Sequence, residues 1–297
     1  MERGRRRMKL SPRLKADLTL LFVTLLWGSA FAVLRQALDP GLVFYLNGLR
    51  LLLGGALLIP LSRWQKEKVE KSLIAPVLLT GAALFTGVAL QMIGLATTSA
   101  GNAGFLTSLY VVFVPFLLWA RWGEKPSPLL LLAVALAILG GFLLSTAGTY
   151  RLAPGDLWVA ASAIFWALHV VLIGRFAGKV PSIAYAAGQF FVAGLLSLLM
   201  ALLRETPSAA GLMALLPSIL YTGVFSIAAG FTLQVYGQRH TPSGDAALIL
   251  SLEAVFAAFF GWLLLGEILL PLQLLGCGLI LAGVLLSQAR EFSSSRK

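Results

Sequence analysis

Charge is what this chain of 297 residues has least of. Asp, Glu, Lys and Arg make up 12% of it, where an average soluble domain carries about 25%. With 59% hydrophobic residues and a mean hydropathy of +0.89, there is too little polar surface to face water on all sides. That excludes a soluble globular protein and leaves lipid as the main solvent. One cysteine, Cys277, excludes an intrachain disulfide. The two histidines, His169 and His240, lie in separate segments and make no metal cluster. Phosphate-cradling, metal-ligand and nucleophile signatures are missing as well, so the expectation is no enzyme, no metal and no cofactor. Acidic residues are few, and the net charge of +11 raises the question of nucleic acid. The basic residues, however, gather at the N-terminus and in short loops between apolar runs, as in membrane proteins.

What the chain does have is apolar length. A bilayer is crossed by about 20 apolar residues in a helix, and such runs lie near 17–37, 42–62, 72–94, 100–120, 128–147, 156–175, 182–203, 212–236, 244–265 and 268–289. The expectation is an all-α polytopic membrane protein of ten helices, with a basic tail over 1–16 and a second short tail over 290–297. With both termini inside, 19 of the 23 basic residues fall on the cytoplasmic side and only Arg151 and Arg204 in exterior loops. That asymmetry predicts cytoplasmic termini in the inner membrane of a prokaryote.

The chain also contains itself twice. A shift of 143 residues lays Thr98–Leu143 on Thr241–Leu286 without a gap, with 18 identities in 46 positions, among them Ser108 on Ser251, Trp119 on Trp262 and Gly123-Glu124 on Gly266-Glu267. Gln91 falls on Gln234 at the same shift, whereas Trp27 falls on Trp166 at 139. About four residues are therefore extra in the second half, expected near Arg204–Ala210. Repeats over 17–147 and 156–289 of five helices each start on opposite sides of the membrane, so the predicted architecture is a 5+5 inverted-topology repeat around a central cavity.

The segments Leu26-Trp27-Gly28-Ser29-Ala30-Phe31, Leu49-Arg50-Leu51-Leu52, Phe165-Trp166-Ala167-Leu168-His169, Leu252-Glu253 and Gly266-Glu267 resemble the EamA family of ten-helix permeases in the drug/metabolite transporter superfamily. The resemblance runs from Asp17 to Gln288. It departs at Ala254, where the family often has proline, and at Tyr110, the first-half counterpart of Glu253. It implies a permease scaffold and export of amino acids or other small metabolites.

Charges inside hydrocarbon mark partners or cavities. Glu253 and Arg50 come out roughly 14 and 12 Å deep at 1.5 Å per residue from opposite faces, so they are expected to pair or to face the cavity together. Trp27 and Trp166 hold matched mid-helix positions, either sandwiching a planar or apolar substrate or simply packing. His169 shares a face with Trp166. Gln91, Gln189 and Gln234 can orient a zwitterion or bond between helices. With Tyr110, these make nine candidate substrate-binding residues. Asn102 and Asp245 are expected as helix caps, Glu124 and Glu267 as interfacial anchors. The leading reading is a secondary transporter exporting small organic metabolites by alternating access, with protons as a candidate coupling ion. A proton-coupled drug antiporter is the alternative, although its acidic residue is missing from the middle of the first helix. A membrane-embedded enzyme or an assembly factor is the alternative of another class. Small molecules and the bilayer are the expected partners, and the oligomeric state is open between monomer and dimer.

Overall fold

A computed structural model describes residues 11–39, 41–67, 70–146 and 153–294, with side chains to Gln288. Most of the basic tail and the end of the chain fall outside the described residues. The described residues form ten helices long and apolar enough to span a bilayer, and no strand. They are α1 Pro12–Ala37, α2 Val43–Trp64, α3 Lys71–Leu95, α4 Ala100–Trp122, α5 Pro128–Thr146, α6 Asp156–Phe176, α7 Ser182–Arg204, α8 Ala209–Gly237, α9 Ser243–Leu265 and α10 Pro271–Ser294.

Local chemistry explains where they begin, break and end. α1 starts five residues earlier than composition predicts. Ser11 accepts from the Leu14 N–H at 3.1 Å and Pro12 takes the first helical position, a start signal that charge in the neighbourhood obscures. Arg13 and Lys15 thus belong to the helix and not to the tail. α4 and α9 stop at Gly123 and Gly266, whose φ of 71° and 70° lie in the left-handed region, so the Gly-Glu pair at each end is a helix terminator. Both helices also break in mid-course, at Leu109 and at Ser251–Leu252. These are matched positions, immediately before Tyr110 and Glu253. In α8 the segment Thr222–Phe231 is π-helical. The residues extra in the second half lie inside this helix: the turn before it, 205–208, is short, while α8 is longer than α3. A wide-turn helix can take in residues that a loop was expected to hold.

Outward-facing Phe22, Phe116, Leu199 and Leu285 are half exposed or more, as side chains in contact with lipid must be. Inside, α1 packs along α9, α2 along α7, α3 along α6 and α7, and α5 along α10. The packing is tied at helix ends. Glu67 accepts from the N–H groups of Ile183 and Ala184 at the start of α7 (3.2 and 2.7 Å). Glu205, after α7, accepts from those of Phe44 and Tyr45 at the start of α2 (2.7 and 2.9 Å). Burial pushes the Glu205 carboxyl above the usual carboxylate range, while the backbone donors pull it down.

A second pair of ties joins the starts of α1 and α9, and of α6 and α4. Thr241 donates to Asp17 at 2.7 Å, and Arg13 bridges Asp17 to Asp245 at 2.9 Å each. Thr98 donates to Asp156 at 2.7 Å and Asn102 donates to the same carboxylate at 2.6 Å. Asn102 and Asp245 are therefore not caps. Ser99 caps α4, and the two side chains reach across to neighbouring helices. At the helix ends Glu124 pairs with Arg175. Glu267, half-buried against Gly261, has its carboxyl pushed up by burial.

Candidate functional site

At the middle of the bundle α1, α2, α3, α4, α6, α8 and α9 surround a narrow cavity of about 50 Å³. Seven of the nine candidate residues line it: Trp27, Arg50, Gln91, Tyr110, Trp166, Gln234 and Glu253. The remaining two, His169 and Gln189, are fully buried behind the wall and bond to each other, His169 Nε2 to Gln189 Oε1 at 2.8 Å. Their side chains do not line the cavity.

Arg50 and Glu253 share the cavity but do not pair. The Arg50 guanidinium, 3% exposed, turns to Asn47 three residues earlier on α2, with Nε and Nη2 at 3.1 and 2.8 Å from Asn47 Oδ1. Glu253 stands at the start of the second segment of α9, beside Tyr110 at the equivalent point of α4. The breaks in the two helices bring these side chains together. Both side chains reach one cavity, and they stand more than 4.0 Å apart there. Trp166 Nε1 and Gln234 Oε1 are buried without a hydrogen bond, whereas Glu253 and the Tyr110 hydroxyl are each other's neighbours, too poorly aligned for a full bond. Buried polar atoms are normally satisfied, so unpartnered atoms at a cavity wall are available to a ligand.

The two tryptophans do not form an open sandwich. Phe231 lies against both, 4.7 Å from Trp27 and 5.8 Å from Trp166 between ring centroids, stacked on the latter at 13°. His169 meets Trp166 and Phe231 edge-on. Trp27 Nε1 donates to the Ser226 carbonyl in the π-helical segment at 3.2 Å. This needs a glycine at 230, where an added Cβ would stand 2.6 Å from that nitrogen. Gln91 donates to Thr107 at 2.9 Å, and Gln234 to Gln238, which in turn bridges to the Val170 carbonyl.

Sequence reasoning missed Asn47, Thr107, Ser226 and Phe231. A signal existed for two of them. Asn47 sits one turn from Arg50, where a partner is in reach. Phe231 is the counterpart, at the shift of 143, of Val88, which also lines the cavity.

The chain matches the sequence model of the EamA-like transporter family twice, over residues 14–146 and 153–288. It is 34% identical over 279 residues to an uncharacterized transporter of Archaeoglobus fulgidus, covering 94% of this chain and 87% of that one. A probable terminal-alkyne amino-acid exporter of Streptantibioticus cattleyicolor is 29% identical, with 98% of both chains covered. An S-adenosylmethionine/S-adenosylhomocysteine transporter of Chlamydia muridarum is 26% identical over 90% of this chain and 89% of its own. A solved crystal structure 22% identical in sequence shares the fold, with a TM-score of 0.75 over 94% of this chain and 99% of that chain.

Proposed function

The chain belongs to the EamA-like transporter family, an integral multi-pass membrane protein, and on that premise we propose that it moves amino acids or closely related metabolites out of the cell by alternating access. The substrate occupies the central cavity. The observation that carries this reading is the convergence there of aromatic, amide and charged side chains from both halves of the chain, several with unpartnered polar atoms. Two of the relatives are named for amino-acid-type cargo, terminal-alkyne amino acids in one and S-adenosylmethionine in the other. The matched ties Glu67 to α7 and Glu205 to α2 support an inverted repeat over 17–147 and 156–289, and the distribution of basic residues favours cytoplasmic termini. Glu253, in the cavity without an ion-pair partner among the described residues, favours protons as the coupling ion.

Uptake by proteoliposomes from a mixed metabolite pool, read by mass spectrometry, tests this directly. Accumulation of amino acids or their derivatives over empty liposomes is the expected outcome. Accumulation of nothing from the pool, with correctly folded protein in the bilayer, refutes it.

A further inference from the structure

Arg50 reaches the cavity held by a neutral amide. Both bonds from its guanidinium go to one oxygen, Asn47 Oδ1, and Asn47 is fully buried. Among the described residues no carboxylate stands within 4.0 Å of Arg50. Glu253, the acidic residue lining the cavity, lies with Tyr110. A cation taken out of water without a counter-charge is costly. An amide dipole orients it but neutralises nothing. Asp at position 47 would offer an oxygen in the same place and carry the missing charge. The amide's other end does not explain why Asn is there, because Asn47 Nδ2 is itself buried without a partner. The position keeps the acceptor and withholds the charge.

We propose that Asn47 sets the charge class of the substrate: it aims Arg50 without neutralising it, reserving the cation for the carboxylate of a small monoanionic or zwitterionic molecule. The guanidinium fork suits a carboxylate, which can take two parallel N–H donors. One cation leaves a dianionic phosphate half compensated, so phosphorylated metabolites are disfavoured. In a zwitterion the ammonium group faces Glu253, which lines the same cavity. This inference rests on the cavity being the substrate site.

The test uses reconstituted protein and a defined equimolar pool of the twenty standard amino acids, the amines left by their decarboxylation, and the matching carboxamides. The wild type should accumulate members with a free carboxylate and exclude amines and carboxamides. Asn47→Asp should melt no lower than the wild type, because the buried cation gains a partner. It should lose carboxylate uptake roughly 10- to 100-fold, the loss of one charge-assisted contact, and gain amines or carboxamides. Asn47→Ala, which removes the hold but not the open charge, should weaken uptake and keep the preference for carboxylates. A wild type that carries amines as readily as amino acids overturns the proposal without help from any variant. So do an unchanged preference in Asn47→Asp, equal losses in Asn47→Asp and Asn47→Ala, or uptake from a whole-cell extract with none from the defined pool. Failure with both the pool and the extract overturns the transport reading itself, and this inference with it.

Discussion

At the scale of single residues, the deciding fact is that Arg50 and Glu253 occupy one cavity on separate terms. Arg50 has an amide partner and Glu253 has none that is charged. Neutralising Glu253 therefore strands no buried cation, and Glu253→Gln should melt at or above the wild-type temperature. If Glu253 carries protons, the same variant should lose transport driven by a pH gradient and keep substrate exchange, since glutamine imitates the neutral acid. A drop in stability with both activities reduced in parallel would instead make Glu253 a structural residue. Phe231 offers a second check. It joins Trp27, Trp166, His169 and Phe190 in one aromatic cluster, so Phe231→Ala should cost about 3–5 kcal/mol of stability. Phe231→Leu, with most of the volume kept, should fold and bind substrate more weakly.

At the scale of elements, composition alone locates all ten helices, because a bilayer demands apolar length and apolar length is visible in any sequence. What composition cannot show is which way a helix is turned. Residue counts bring Arg50 and Glu253 to one level, and both do line one cavity; their partners depend on how each helix is turned, which only packing determines. The nine candidates divide for the same reason. Seven face inward together, whereas His169 and Gln189, on equally apolar helices, face one another. The π-helical segment of α8 left no local mark, since its residues Thr222–Phe231 read as ordinary helix. Its trace is the change of shift from 139 to 143 between the halves. That segment admits the Trp27 indole beside Gly230, and Gly230→Ala forces the two apart. The gain of about 1 kcal/mol in helix propensity is smaller than the cost of about 1–3 kcal/mol for stranding the buried indole N–H, so Gly230→Ala should lower the melting temperature and weaken substrate binding, measured by ligand-induced thermal shift.

At the scale of the whole molecule, the proposed inverted arrangement predicts which loops share a side. In a Cys277→Ala background, Lys66→Cys and Gly178→Cys should be labelled from the cytoplasm. Ala153→Cys and Pro207→Cys should be labelled from outside. Positions 153 and 178 found on one side would break the inverted arrangement. The starts of α1 and α6 tell the same story in contacts: Asp17 and Asp156 correspond at the shift of 139, and each accepts from a threonine, 241 and 98, that correspond at 143. Those matches were present in the sequence, but their meaning needed the partner helices in place.

The reciprocal carboxylate ties also impose an order in time. The first backbone N–H groups of α2 find their acceptor in Glu205, a residue the ribosome adds about 160 positions later, which is roughly eight seconds or more at ordinary elongation rates. Until then α2 sits in the bilayer with its start unclosed, and α7 finds Glu67 already waiting when it arrives. Each half is recognisable by itself as a copy of the family pattern, yet the first is not a finished object when it leaves the ribosome. It is a template that the second half completes, and a chain cut between residues 146 and 153 would yield two pieces that need each other to mature.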